Sequence, residues 1–577
     1  MSVFRVWAPL ARKVALALRG ERRAMAAGER GWWTIDVPGD VAVEDYAYVL
    51  DDGDELPDPR SPSQPDGVHA RSRRVDHAAH RWDDSGFVAR PLGAAVLYEL
   101  HVGTFTPEGT FSAAIAHLDH LRDLGVSHVE LMPVNAFDGS HGWGYDGVAL
   151  FAPFAPYGGP EGLKRFVAAC HARELAVVLD VVYNHLGPSG NYLGRFGPYF
   201  TDRYRTPWGG AVNYDDAGSD EVRRMVIDNA TMWVRDYHVD ALRLDAVHAI
   251  FDGSATHLLE ELSHEVRTVA RGLGREAVVI AESDLNDPRL LRPSELGGYG
   301  VDAQWSDDFH HALHAALTGE RHGYYADFGT LADLAHAFTR VFVYDGRYAP
   351  HRDRRHGRPA TGLAGDRFVV FLQNHDQVGN RARGERIGHL VSAGRVKIGA
   401  ALLLASPFVP LLFQGEEWAA SAPFPYFTAH VDPQLADAVR EGRRREFGAF
   451  AWQGEVPDPQ ASDTFACAKL DWAELEQPPH ADILHWYCEL LRLRRDRELS
   501  APDLHSVRVD YDEQAQWFVL RRGTIVVACN LASQAQHVVL GPAGEWRLLL
   551  CSDASIRLDD GAVLLGADSV AVLAASS

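Results

Sequence analysis

Between residues 96 and 417 the chain repeats one pattern, a short apolar run of strand length followed by a longer amphipathic stretch. The runs are VLYELHV (96–102), HVELMPV (128–134), AVVLDVVYNH (176–185), VDALRLDAV (239–247), AVVIAES (277–283), VDAQWSDDF (301–309), RFVVFLQNHD (367–376) and PFVPLLFQGEE (408–417). A nearly continuous apolar strand belongs in a sheet covered on both faces. Alternation with helices makes that sheet parallel, either doubly wound or closed, and eight repeats favour closure into a (β/α)8 TIM barrel of the α/β class. Among the intervening stretches, SDEVRRMVIDNATMWVRDYH (219–238) predicts a helix. Ser219 is placed to cap it, and Asp220 and Glu221 suit its N-terminus. Val222, Met225, Val226, Trp233 and Tyr237 fall on or near one face.

The chain on either side has a different rhythm. Before residue 88, VFRVWAP, KVALAL, WWTIDVP and DYAYVL are short strand-like runs broken by turn residues. A proline-rich stretch (56–74) follows and reads as a linker or an ordered loop laid over the next unit. After about 497 alternating strands return in WFVLRRG, TIVVACNL, WRLLLC, GAVLLG and VAVLAAS, an all-β cap of one small sheet domain. The connection 186–219 is too long for an ordinary βα loop and predicts a small inserted subdomain at the barrel mouth. The expected domains are thus 1–88, 89–497 with its insertion, and 498–577, in keeping with a length of 577 residues.

A formal charge of −23 disfavours nucleic acid and anionic membranes as partners and suits a neutral ligand. No stretch approaches the roughly 20 apolar residues that span a bilayer. The N-terminal segment is interrupted by Arg12, Lys13 and Arg19, unlike a secretory signal. Five scattered cysteines without CxxC pairs read as free thiols, mostly buried, in a reducing compartment; the expectation is a cytoplasmic protein.

Active sites of such barrels sit at the C-terminal strand ends, so polar residues ending the runs carry the chemistry. In VDALRLDAV, Arg243 and Asp245 are two apart and share a face of the strand, while Leu242 and Leu244 take the other. The neighbouring cation keeps the carboxylate ionised, as a nucleophile requires; a structural ion pair is the alternative reading. In AVVIAES an almost unbroken apolar strand delivers Glu282 to its end. Apolar surroundings would keep that carboxyl protonated as an acid, unless it merely caps the strand. One ionised and one protonated carboxyl is how glycosidases divide the work.

RFVVFLQNHD ends in Asn374, His375 and Asp376, with Gln377, Val378, Gly379 and Asn380 following. So dense a polar cluster is costly to bury unless a ligand or partner satisfies it. AVVLDVVYNH likewise presents Asn184 and His185, with Asp180 inside the strand and structural in character, and DDFHH (307–311) ends the sixth run. Gly142–Asp146, Trp208 and Tyr214 offer aromatic faces for stacking on sugars. The sequence contains no HExxH, HxH or two-His-one-carboxylate spacing, so neither metal nor cofactor is expected.

DVVYNH (180–185), ALRLDAVH (241–248), the strand ending at Glu282 and QNHD (373–376) resemble, in order, the four conserved regions of the α-amylase family of glycoside hydrolases. The resemblance covers about 90–490, and the flanking units match the family's plan, with an N-terminal β-sandwich of carbohydrate-binding type and a C-terminal β-domain. It implies retention of anomeric configuration, with Asp245 as nucleophile, Glu282 as acid/base and Asp376 as transition-state stabiliser. It further implies that Arg243, His185 and His375 bind sugar at the cleavage subsite, with Tyr145 as stacking platform.

Within that family, YELHVGTFTPEGTF (98–111), YNHLGPSGNYL (183–193), AESDLNDPRL (281–290), DDFHHALH (307–314), NHDQVGNR (374–381) and LLFQGEEW (411–418) look most like members that act on maltooligosyltrehalose. Those members cut the α-1,4 bond beside the terminal trehalose. Branching enzymes are similar but typically read SHDE where this chain has Asn374–Gln377. The resemblance makes Asp308, Phe309, His310, His311 and Ala312, with His375, Gln377, Val378, Gly379 and Asn380, the candidates for reading the trehalose unit. Leu244, Ala246 and Val247 flank the nucleophile, and His248 and Glu417 are further candidates.

Overall fold

A computed structural model describes the chain except residues 1, 40, 42–43, 207–208, 450–455, 496, 541–545, 560 and 576–577. All eight apolar runs become strands of one closed parallel barrel, in chain order around the ring. The strands are Leu97–Leu100, His128–Leu131, Ala176–Val181, Ala241–Leu244, Val278–Ala281, Ala303–Trp305, Phe368–Phe371 and Val409–Phe413. The eighth pairs with the first to close the sheet.

The barrel interior has two storeys, set by the two-residue period of a strand. Leu97, Val178, Ala241, Ile280, Ala303, Val369, Phe371, Val409 and Leu411 form an apolar plug. One inward position further along the first, third and fourth strands stand Glu99, Asp180 and Arg243, all buried. Glu130 lies opposite Glu99 in the strand register, and Arg243 lies opposite Asp180. A charged layer over an apolar floor is costly to assemble unless its members pair, and that pairing builds the site described below.

The predicted helix forms over Ser219–Asp236 and buries Val222, Met225, Val226 and Trp233. Its cap differs from expectation. Gly218, with φ of 82°, takes the N-cap position without a side-chain bond, and Ser219 is already helical. A left-handed turn is needed there, and only glycine adopts it without strain.

Before the barrel, two antiparallel sheets pack face to face, with Phe4, Val6, Leu16, Leu18, Tyr46 and Tyr48 between them. The proline-rich stretch is ordered rather than a free linker. Ser72–Arg73 pairs with the strand Asp45–Leu50, and Arg60 donates to Asp228 of the long helix at 2.7 Å. The insertion is a helical turn, Leu193–Phe196, and a hairpin, Phe200–Thr206 with Gly209–Val212. The C-terminal unit is two sheets, of five and three strands. Val519, Val526, Val538, Val563 and Leu573 pack between them. The additional strands Arg508–Asp512, Gln536–Val539 and Arg557–Asp559 are short and polar, which hid them from a hydrophobicity pattern.

Of the five free cysteines only Cys170 and Cys529 are buried, while Cys467 and Cys551 are exposed, contrary to the expectation that most are buried. Among the described residues no helix is long and apolar enough to cross a membrane.

Candidate active site

Arg243 organises the barrel mouth. Its Nη1 donates to Asp180 Oδ2 at 2.7 Å and to Asp245 Oδ1 at 3.0 Å, and its Nη2 lies 3.1 Å from Glu282 Oε2. The guanidinium also stacks over the Trp305 ring, 4.2 Å from its centroid. Burial alone would lower the Arg243 pKa; Asp180, then Glu282, raise it well above the usual value, so it stays charged. One rigid fork therefore places both carboxylates at fixed points.

The nucleophile candidate is held on both oxygens. Arg243 takes Oδ1, and Asn184 Nδ2 donates to Oδ2 at 2.6 Å and to the Asp245 carbonyl at 2.8 Å. Asn184 Oδ1 also accepts from Nδ1 of the His185 ring, which lines the same cavity. Burial lowers the His185 pKa to about 4, so its ring is neutral. Glu282 departs from the expectation of apolar surroundings. Its Oε2 accepts from the Ala246 backbone N–H at 2.7 Å as well as facing Arg243. A strand's apolar pattern describes its flanks, whereas the residue just past its end meets whatever the neighbouring strand presents.

Asn374 caps the short helix His375–Gly379 by accepting from the N–H groups of Asp376 and Gln377 at 2.9 and 3.1 Å. That cap presents Asp376 to the cavity. Burial raises the Asp376 pKa, and the His375 cation opposes the shift. Tyr145 stacks on the His375 ring at 5.2 Å between centroids, and its hydroxyl donates to Asp180 at 2.6 Å. The platform is thereby pinned to the same network as the carboxylates.

Trp143, Tyr145, Asp146, His185, Asp245, Ala246, Glu282, Asp376, Asn380, Tyr426 and Arg443 line a cavity of about 280 Å³. Its size is near the lower end of small-ligand pockets, about 300 Å³. Tyr426 and Arg443 were not anticipated from sequence; they lie beyond the eighth strand, where no strand end marks them. Arg443 donates to Asn380 Oδ1 at 3.0 Å and to the Gly379 carbonyl at 2.9 Å.

Several sequence candidates stand elsewhere. Phe309 is 0% exposed and packs edge-on against Phe338 and Phe408, and Ala312 is buried in the same helix. Asp308 accepts from Asn286 Nδ2 at 2.9 Å and the Tyr344 N–H at 2.7 Å. His310 lies between the Leu372 carbonyl and the Tyr325 hydroxyl, at 2.8 and 2.9 Å. His311 is half-buried against Tyr324. The neighbouring Asp307, not among the candidates, is the residue of this helix that interacts with Glu282 and Asp376. Burial, then those two carboxylates, raise its pKa well above the usual value. Helical phase explains the difference, since successive residues turn by about 100°.

Leu244, Val247 and Val378 are buried packing residues, Ala246 lines the cavity, Gln377 is half-buried and His248 is exposed. Glu417 is wholly buried and accepts from the Tyr98 hydroxyl at 3.1 Å, with His120 Nε2 2.9 Å away. Tyr214 is 1% exposed and donates to the Tyr183 carbonyl at 2.6 Å, so it is a packing residue and not a sugar platform. Trp208 lies outside the described residues.

Gly379 is required by a close approach. A Cβ there would lie 2.0 Å from the Trp143 ring. Gly379→Ala must displace that ring, which lines the cavity, and activity should fall about tenfold or more, since small displacements of positioned groups cost that much. Steady-state kinetics alongside a melting curve check it; wild-type kcat and KM in the variant would contradict it.

Residues 61–205 match the family model described as the α-amylase catalytic domain, and 502–572 match a domain of unknown function, DUF3459. A malto-oligosyltrehalose trehalohydrolase from Mycobacterium tuberculosis is 48% identical, with 100% of both chains covered. The chain belongs to the malto-oligosyltrehalose trehalohydrolases of the α-amylase family. Another member, from Arthrobacter ramosus, is 52% identical over 92% of each chain. A crystal structure titled a putative α-amylase from Salmonella typhimurium superposes with a TM-score of 0.90 at 39% identity, covering 99% of this chain and 97% of that one. Membership of the trehalohydrolases makes the chain a glycosidase on a TIM barrel.

Proposed function

We propose that this enzyme is a retaining glycoside hydrolase that cuts the α-1,4 bond next to the terminal trehalose of maltooligosyltrehalose and releases trehalose. The observation that carries the reaction type is the Arg243 fork, which holds Asp245 and Glu282 on adjacent strands at one cavity wall. The substrate is supported by the relatives' names.

In the first step Glu282 gives its proton to the leaving oxygen as an Asp245 oxygen attacks C1, forming a glycosyl-enzyme and freeing the trehalose end. Water then enters, Glu282 takes its proton, and the hydroxide displaces Asp245 from C1, which restores both carboxyl groups. Double inversion retains the anomeric configuration. Asp376 faces the same cavity and would hold sugar hydroxyls more tightly as the ring flattens, and such differential binding lowers the barrier. Tyr145 and Trp143 supply the aromatic wall against the ring face.

Incubation with maltooligosyltrehalose should yield free trehalose and the shortened maltooligosaccharide, measured by chromatography. A branching enzyme would instead make new α-1,6 links in amylose and leave maltooligosyltrehalose uncut, and that result would overturn the proposal. The unpaired cysteines support a cytoplasmic site of action, which cell fractionation checks.

A further inference from the structure

The first barrel strand carries a buried glutamate that the reaction as written does not use. Glu99 is 1% exposed and extends from an otherwise apolar strand toward the base of the seventh strand end. Its two oxygens grip one residue. Oε2 accepts from the His375 backbone N–H at 2.9 Å, and Oε1 lies 2.5 Å from His375 Nδ1. The other ring nitrogen, Nε2, lies 2.8 Å from the Tyr145 hydroxyl, which in turn donates to Asp180, the partner of Arg243. A continuous chain of polar contacts therefore runs from Glu99 through His375, Tyr145 and Asp180 to the cation that holds Asp245 and Glu282.

We propose that Glu99 is a positioning residue of this active site: by gripping His375 at two points it keeps the ring charged and turned so that Nε2 donates to Tyr145. The direction of each hydrogen bond depends on that charge. With both ring nitrogens protonated, Nδ1–H goes to Glu99 and Nε2–H to the Tyr145 oxygen, so the tyrosine proton is free to bond Asp180. A neutral ring protonated only at Nδ1 would leave Nε2 as an acceptor, and Tyr145 would turn its proton from Asp180 toward it. Asp180 would then lose a donor, and Asp376, whose Oδ1 is 3.6 Å from Nε2, would lose a neighbouring cation.

The surroundings agree with a charged ring. The groups facing it are Glu99 from the first strand, Glu130 from the second, Tyr145 from the loop after the second, Asp180 from the third, Arg243 from the fourth and Asp376 on its own helix. His101, just beyond the first strand, is buried with its pKa lowered to about 3, so it adds no opposing cation. Burial alone would lower the His375 pKa, but Glu99, then Asp376, raise it to about 10. Glu130 is driven to its neutral form. Burial and the neighbouring Glu99 raise its pKa well above the usual value, so it stays neutral and does not compete for the imidazolium.

The test is Glu99→Gln, which keeps the shape and one acceptor but removes the charge. In the wild type, nitrogen chemical shifts of labelled His375 should report an imidazolium up to pH 8; in the variant, with burial no longer offset by Glu99, the ring should lose its proton at a lower pH, inside the range scanned. The ratio of wild-type to variant kcat should then grow with pH between 5 and 8, approaching tenfold per pH unit above the variant's histidine pKa. Glu99→Asp, which keeps the charge, should return the ratio toward a flat line. A purely structural glutamate would lower kcat by the same factor at every pH. A flat ratio for a folded Glu99→Gln, or a neutral His375 in the wild type at pH 8, would overturn the proposal. If Glu99→Gln does not fold, the wild-type spectrum decides it. The kinetic arm rests on Tyr145 and Asp376 serving the reaction, and it can be run on any α-glucan the enzyme cleaves. The spectrum needs no substrate, so failure of the functional reading and failure of this inference are separable.

Discussion

Asp245→Ala and Glu282→Gln should each lower kcat by about 10⁴-fold or more, equivalent to about 5.5 kcal/mol of transition-state stabilisation. The first removes a carboxylate held on both oxygens by donors, with Arg243 on one side and Asn184 on the other. The second keeps the acceptor for the Ala246 N–H but cannot deliver a proton. The fold should survive both, because Arg243 retains Asp180 and one further carboxylate in either case. Kinetics with circular dichroism checks this. Activity within tenfold of wild type in either variant would refute the assignment of roles.

Arg243→Ala should show the other large effect, and it should show it in stability as well as rate. The side chain is fully buried among Asp180, Asp245 and Glu282, which would be left facing one another without the guanidinium between them. Breaking a buried pair by removing one partner costs about 3–5 kcal/mol. Asp245 would also lose the donor that fixes its Oδ1, and with it the placement a nucleophile needs. Arg243→Lys restores the charge but not the planar fork, and a single ammonium cannot hold three carboxylates in place. It should recover much of the melting temperature while kcat stays far below wild type. An Arg243→Ala protein that melts and turns over like wild type would show that the fork is dispensable.

Parity within strands was the most informative local signal. Arg243 and Asp245, two apart, do share a side and do touch, at 3.0 Å. The same rule could have found Glu99, since Leu97 of that strand joins the apolar plug and Glu99 is two residues further on. A single acid inside an apolar run has no partner visible along the chain, so parity alone gives it no role. Asp180 read as structural, and it does pair with Arg243, yet it also anchors Tyr145 and so belongs to the site's support. The sixth strand end was harder. Asp307 and Asp308 are adjacent and alike, and only the phase of the helix Asp307–Thr318 separates the one near Glu282 from the one bonded to Asn286 and Tyr344.

Local sequence determined the eight β/α repeats, the flanking all-β units and the acids that end the strands. Those features depend on the two-residue period of strands, the 3.6-residue period of helices and the burial of both faces of a parallel sheet. Tertiary structure decided which strand ends meet. Closure of the eighth strand on the first brings Glu99 beneath His375, 276 residues away, and the chain beyond the barrel brings Tyr426 and Arg443 to the cavity. Glu282 shows the division most clearly, because its strand is apolar along its whole length and yet its carboxylate lies on a guanidinium from the preceding strand. A side chain's charge environment is set by what packs against it in space, and the periodicity of its own segment does not encode that.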